Sequence, residues 1–152
     1  MNAPATHADR AHATWSASAT ERNWNCSGAL ALTKDLPERT NPAAEWGTCC
    51  HEIAELCLRD GLDAADFIGR TYAAKESTIE VDEEMAETAQ THVDYVRDRL
   101  DAAGEDAQLL IEQKFSLASL NPPFDAGGTC DAIIYAPSRK HLEVIDLKGG
   151  RG

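Results

Sequence analysis

The end of the sequence constrains the fold more than any other stretch. Residues 127–152 read GGTCDAIIYAPSRKHLEVIDLKGGRG, in which a Pro-Ser pair separates two apolar runs, Cys130–Tyr135 and Leu142–Leu147. Two short apolar runs with turn residues between them predict an antiparallel β-hairpin. In such a hairpin the start of one strand lies beside the end of its partner.

Charged residues stand where the two predicted strands meet. Asp131 begins the first strand, and Asp146 and Lys148 end the second. Since residues i and i+2 share a face, Asp146 and Lys148 are neighbours, and Asp131 can reach them from the next strand. Two carboxylates beside an ammonium group suggest a site for Mg²⁺ or Mn²⁺, where the lysine orients the attacking water. The alternative is a hairpin with solvated charges at its ends, because D-x-K triplets also arise by chance.

Composition limits the classes of function. A chain of 152 residues with 43% hydrophobic residues predicts one domain with a core. Its formal net charge of −12 argues against a broad basic face for nucleic acid, but not against a nuclease whose acids bind metal ions. Five cysteines, an odd number, are not typical of a secreted disulfide framework. No signal-peptide core or membrane-length apolar run is present, which predicts a cytoplasmic protein without a membrane partner.

The amino-terminal part predicts a tail followed by short helices. Residues 1–14 lack hydrophobic periodicity and predict a flexible tail, and residues 15–152 predict the folded domain. A short helix is expected after Trp15, with Ser16 or Ser18 as its N-cap and Trp24 pointing inward.

Ala43–Asp60 predicts a helix that begins near Thr48, a residue suited to the N-cap. His51 and Glu55 lie one turn apart on one side of this helix. Both can therefore face a site. A partly buried, hydrogen-bonded histidine is the alternative reading of His51.

The remaining elements complete an α/β fold. A second short helix is expected within Leu62–Tyr72, and apolar residues at steps of three and four predict a packing helix over Val81–Ala103. Leu109–Leu117 alternates as a strand with Glu112 on its polar face. The predicted fold is thus a group of helices followed by a three-stranded antiparallel meander that ends in the hairpin.

Four motifs in this order carry a resemblance to a known superfamily. They are G-x-x-x-H from Gly47 to His51, a lone strand glutamate at Glu112, G-x-x-D from Gly128 to Asp131, and D-x-K from Asp146 to Lys148. The chain resembles the PD-(D/E)XK nucleases, in the RecB-like exonuclease branch. The segments SASATERNWNCSGALAL, EWGTCCHEIAE and KGGRG resemble a phage and prophage family of that branch. The resemblance implies a restriction-endonuclease-like core.

The resemblance also implies a site and its chemistry. The implied metal ligands are His51, Asp131, Asp146 and the backbone carbonyl of Leu147. Lys148 would act in catalysis together with the two aspartates, and Glu55 and Glu112 would lie beside the site. Arg151 would contact a phosphate. The implied reaction is hydrolysis of a DNA phosphodiester with Mg²⁺ or Mn²⁺, exonuclease-like, in phage recombination, replication or DNA processing. A homo-oligomer or a recombination partner protein is also implied.

Alternatives remain open for the extent of the domain, for the cysteines and for the function. Relatives in this branch have a later helix with a Q-x-x-x-Y motif, which this sequence lacks. We therefore expect the amino-terminal portion of such a domain, with the carboxy-terminal part of the core absent. Whether such a portion is active stays open. Cys26, or Cys49, Cys50 and Cys57, could serve an iron–sulfur or zinc site, although buried thiols are the simpler expectation. A non-catalytic, nuclease-like scaffold or interaction protein is the alternative function.

Overall fold

The structure, a computed structural model, describes residues 13–16, 19–33, 36, 41–74 and 78–149. Ser18, Arg151 and the first twelve residues of the predicted tail lie outside the described residues. The chain forms two compact units. One takes in Thr40–Gln113 and Cys130–Gly152, and the other Arg10–Arg39 and Lys114–Thr129, each as far as the structure describes it.

Helix α3 spans Pro42–Asp60 and follows two short helices, α1 (Thr20–Asn25) and α2 (Ala29–Thr33). Its N-cap is Asn41, whose side chain accepts a hydrogen bond from a backbone N–H at 2.7 Å, with a proline in the first helical position. The predicted N-cap at Thr48 is therefore wrong. The Thr48 hydroxyl instead donates within the helix to a carbonyl four residues earlier.

A 3₁₀ turn and a small hairpin follow α3, after Gly61 ends the helix in the left-handed conformation. The turn spans Ala64–Phe67, and strands β1 (Thr71–Ala73) and β2 (Thr78–Glu80) pair antiparallel. The prediction of one short helix over Leu62–Tyr72 is thus right only for one turn and missed the strands. Three residues per strand are too few for a period-two pattern to stand out.

Helix α4 spans Glu83–Ala103, close to the predicted Val81–Ala103, and Gly104 follows it as expected. The Asp82 side chain caps its start by accepting the Met85 N–H at 2.8 Å. The apolar stripe of α4 packs against α3 in a core cluster. The largest fully buried members of that cluster are Cys50, Ile53, Cys57, Val81, Met85 and Val93. No described helix is long and apolar enough to cross a membrane.

The main sheet has three strands in the order β3 (Gln108–Ser116), β4 (Gly127–Ala136) and β5 (His141–Ile145). This confirms the predicted fold class, in which helices precede an antiparallel three-stranded sheet. The register pairs Ala132 with Ile145. Strand β5 ends two residues earlier than predicted, so residues 146–149 follow the sheet without belonging to it.

The sheet packs on the second half of α4. A second buried cluster joins them and consists of Val96, Ala103, Ala132, Ile134, Ala136 and Ile145. At the surface, the Arg99 guanidinium on α4 makes a two-pronged contact with the Glu143 carboxylate on β5, with N–O distances of 2.9–3.1 Å. These contacts fix the strand that leads into Asp146.

The second unit contains α1 and α2. Trp24 on α1 is 80% exposed, so the prediction that it points inward is wrong. Asn23, one residue earlier, is the buried position. A helix of six residues has too few positions for its sequence to define an inner face. Ser16 is not the N-cap either, because Ala19 occupies the N-cap position and α1 has no side-chain cap hydrogen bond.

Candidate metal centre

Three side chains from separate elements meet in the first unit. His51 comes from α3, Glu112 from β3 and Asp131 from β4, and their potential ligand atoms all lie within 4.8 Å of one another. The helix α3 buries its apolar side among the core residues, which turns the partly buried His51 toward the strands. Distant parts of the sequence are thereby brought to one point.

Asp131 is the most constrained member of this cluster. It is 9% exposed, and its Oδ1 lies 3.4 Å from Nδ1 of His51. Its Oδ2 accepts the backbone N–H of Leu147 at 2.6 Å. Since the Leu147 side chain is buried in the first core cluster, this hydrogen bond ties the carboxylate to the packed interior.

Gly47 shows why the helix motif places a glycine one turn before the histidine. A Cβ at Gly47 would lie 3.1 Å from the carbonyl oxygen of Gly149. A Cβ at Gly149 would in turn lie 3.4 Å from Sγ of Cys50. The two glycines therefore let the segment after β5 run close against α3, beside His51.

Glu112 has an unusual backbone. Its φ is 51°, in the left-handed region that a non-glycine residue rarely adopts. The predicted alternation along β3 is wrong from this residue onward, because every later residue of the strand is exposed. The resemblance placed Glu112 beside the metal ligands. The structure places its carboxylate within 4.8 Å of the donor atoms of His51 and Asp131.

Asp146 and Lys148 lie at the edge of the cluster. The Lys148 ammonium forms an ion pair with the Asp146 carboxylate, and their side chains are 85% and 46% exposed. Among the described residues, Asp146 is not a member of the group within 4.8 Å. Glu55 is turned to another partner, with its Oε1 2.9 Å from Nε of Arg59 one turn along α3.

The charges of the cluster act on one another. Burial lowers the pKa of His51, but the hydrogen bond and charge of Asp131, with the charges of Glu112 and Asp146, outweigh it and raise the pKa above its ordinary value. Burial raises the pKa of Asp131, yet His51 and the Leu147 N–H bring it below its usual value. In the absence of metal, the two side chains thus favour an ion pair.

His92 on α4 is a buried polar residue that the sequence reasoning missed. It is 8% exposed, and burial lowers its pKa although the charges of Asp131 and Asp146 oppose that shift. It therefore lies within electrostatic reach of the cluster. Its position between Thr91 and Val93, at the border of the apolar stripe, was the only signal in the sequence.

The donor set could hold a divalent metal ion. It consists of one imidazole and two carboxylates, all of which are ligands for divalent ions. The cysteines offer no comparable set. Cys49, Cys50 and Cys57 are buried free thiols, as expected, and burial raises their pKa values to about 11, about 12 and about 11. No cysteine joins a group of metal-ligating side chains among the described residues.

The fold and the cluster define an α/β domain with a candidate divalent-metal centre. The chain belongs to the family whose description reads "Protein of unknown function (DUF2800)", since that family model matches residues 12–152. No solved structure matches the chain. The family description names no reaction, so an assignment of function depends on the chemistry of the site.

Proposed function

We propose that this protein is a metal-dependent deoxyribonuclease of the PD-(D/E)XK type, in the RecB-like branch, which hydrolyses DNA phosphodiesters in phage recombination, replication or DNA processing. The observation that carries the proposal is the meeting of His51, Glu112 and Asp131 beside a D-x-K segment. Such a set of side chains can hold a divalent cation, and a bound divalent cation can promote hydrolysis of a phosphodiester.

Each part of the site has a role in this proposal. His51, Glu112 and Asp131 would hold the cation, which when bound would polarise the phosphodiester and lower the pKa of water. The Leu147 N–H keeps the Asp131 carboxylate in one orientation. Asp146 holds the exposed Lys148 ammonium at the rim, where it can meet a phosphate oxygen.

Cellular location and partners belong to the same proposal. Free cysteines fit a reducing cytoplasm, since an oxidising compartment favours disulfides. DNA is the proposed substrate. Arg151 as a phosphate contact, a homo-oligomer and a recombination partner protein are proposed on the resemblance alone.

The first experiment measures Mn²⁺ binding by calorimetry together with cleavage of linear DNA. We expect the parent to bind Mn²⁺ and cleave, and Asp131→Ala and Glu112→Ala to lose binding. Glu55→Gln is the matched control, because that acid is engaged with Arg59, and it should bind as the parent does. Lys148→Ala should bind Mn²⁺ and lose cleavage.

Three outcomes separate the alternatives. Loss of binding in Asp146→Ala would add this residue to the ligand set, as the resemblance implies. Saturable Mn²⁺ binding without cleavage in the parent would favour a non-catalytic nuclease-like scaffold. A parent without saturable Mn²⁺ binding would overturn the metal-dependent proposal.

A further inference from the structure

His92 is a buried imidazole on α4 that has no hydrogen-bond partner among the residues that the structure describes. A neutral imidazole carries one N–H donor and one acceptor nitrogen, and buried polar groups of this kind are nearly always paired. An apolar side chain would pack at this border of the α4 stripe without the cost of desolvating a ring nitrogen. Packing alone therefore does not account for a histidine at this position.

The surroundings of His92 identify a group that can pair with it. Its side chain lines a cavity of about 480 Å³ between α4 and the segment that follows β5. Among the described residues that line this cavity, Asp146 alone carries a carboxylate. Leu147 lines the same cavity, and its N–H holds the Asp131 carboxylate at 2.6 Å. The imidazole, the second aspartate and the candidate metal centre are therefore neighbours.

One oxygen of Asp146 is open to a donor. Its Oδ2 pairs with the Lys148 ammonium, whereas its Oδ1 has no partner within the described part of the chain. His92 thus has a donor without an acceptor, and Asp146 has an acceptor without a donor, on the walls of one cavity. The pair with Lys148 is a weak competitor, because both of its side chains are open to water.

We propose that His92 is a positioning residue, which donates a ring N–H to the Asp146 carboxylate and thereby holds that carboxylate as a further ligand of the cation. The inference rests on the proposed function and adds a residue of α4 to its site. Carboxylates that bind metal ions are commonly held by such hydrogen bonds. Without metal, Asp146 faces Lys148 and lies outside the described group of three donors, so its side chain has to rotate toward His92.

His92 acts through Asp146 and is not a ligand itself. Its nitrogens do not belong to the described group whose ligand atoms lie within 4.8 Å of one another. Asp131 is the less suitable partner, because its Oδ1 lies 3.4 Å from Nδ1 of His51 and its Oδ2 accepts the Leu147 N–H. A carboxylate with a vacant oxygen is the stronger acceptor for a ring N–H.

The test is a double-mutant cycle measured by Mn²⁺ calorimetry. His92→Phe should raise the Kd for Mn²⁺ by roughly 10- to 100-fold, the loss that follows removal of a group supporting a metal ligand. Asp146→Ala should raise it too, and the double variant should bind as Asp146→Ala does, because the ring then has no carboxylate to hold. His92→Gln keeps an N–H donor and should recover part of the loss. His141→Phe is the matched control and should bind as the parent does, since His141 pairs with Glu143 outside the cavity.

A second measurement uses the parent itself, so it does not depend on how well His92→Phe folds. Proton NMR of the imidazole rings follows the exchange of the His92 ring N–H with water. Saturating Mg²⁺ should slow this exchange by roughly tenfold or more, because the proton is then held by a carboxylate. In Asp146→Ala, saturating Mg²⁺ should leave the exchange rate unchanged.

The outcomes separate the positioning role from the proposed function. Losses that add in the double variant would overturn the role of His92, as would an unchanged Kd in His92→Phe or a ring exchange that ignores Mg²⁺ in the parent. Cleavage of linear DNA is measured on the same preparations. If the parent cleaves while the losses add, the positioning role is wrong and the nuclease stands. If the losses do not add and the parent fails to cleave, the positioning role stands and the nuclease is wrong.

Discussion

Replacing Asp131 by alanine should destabilise the protein even without metal. Acidic metal ligands usually repel one another, so their removal can stabilise a metal-free fold. Asp131 differs because it accepts the Leu147 N–H at 2.6 Å, and both residues are less than 10% exposed. Alanine would leave that N–H buried without its acceptor, which costs about 1–3 kcal/mol. It would also remove the partner of His51.

The expected change is large enough to measure by thermal denaturation. In a domain of this size 1 kcal/mol shifts Tm by roughly 2–4 °C, so Asp131→Ala should lower Tm by about 2–12 °C. The assay is circular dichroism in EDTA near neutral pH. Asp131→Asn keeps an oxygen that can accept from Leu147 and should recover part of the loss.

Asp146→Ala is the control for the loss of one acid. Its carboxylate is 46% exposed and pairs with a more exposed lysine, so its removal should change the free energy of unfolding by less than about 1 kcal/mol. An Asp131→Ala variant that unfolds at the parent Tm in EDTA would contradict this expectation. An Asp146→Ala variant that is equally destabilised would contradict it as well.

Three further predictions concern the helix contacts and pH. Gly47→Ala places a methyl group 3.1 Å from the Gly149 carbonyl oxygen, so calorimetry should show weaker Mn²⁺ binding. The higher helix propensity of alanine, worth roughly 1 kcal/mol, should keep Tm near the parent value. The raised pKa of His51 means that its ion pair stabilises the metal-free fold fully below about pH 6.5, and that this contribution is lost as pH rises through the folded-state pKa. Since Mn²⁺ competes with that proton, the rise in Tm on adding Mn²⁺ should be larger near pH 8.5 than near pH 6. Arg97 on α4 donates to the carbonyl of Leu62, just after α3, at 2.7 Å. Arg97→Met should therefore lower the free energy of unfolding by about 1–2 kcal/mol in urea denaturation, and an unchanged midpoint would contradict this.

The long elements could be predicted well because the spacing of apolar residues largely determines each of them. Helix α4 repeats apolar residues over 21 positions and packs them on α3, so its pattern and its burial agree. The hairpin of β4 and β5 followed from two apolar runs around a proline turn. The start of α3 was missed because the N-cap is Asn41, followed by a proline, seven residues before the more familiar threonine at Thr48.

The candidate site was predictable only where a motif spacing was involved. The spacing from Gly47 to His51 and the hairpin register placed His51 and Asp131 correctly on their elements. The resemblance placed Glu112 beside the site, but its positive φ depends on tertiary contacts that a strand pattern cannot include. His92 was hidden because a histidine beside an apolar stripe reads as ordinary packing.

Under the proposed function, the left-handed backbone of Glu112 sets a cost in the stability of the fold against the binding of a cation. The left-handed conformation costs a non-glycine residue on the order of 1–2 kcal/mol, and the metal-free protein already carries that cost. The carboxylate is thus in place before an ion arrives, so binding need not drive a rearrangement. Selection for thermal stability alone should then recover Glu112→Gly or Glu112→Asn, which relieve the strain, and such variants should lack the proposed Mn²⁺ binding.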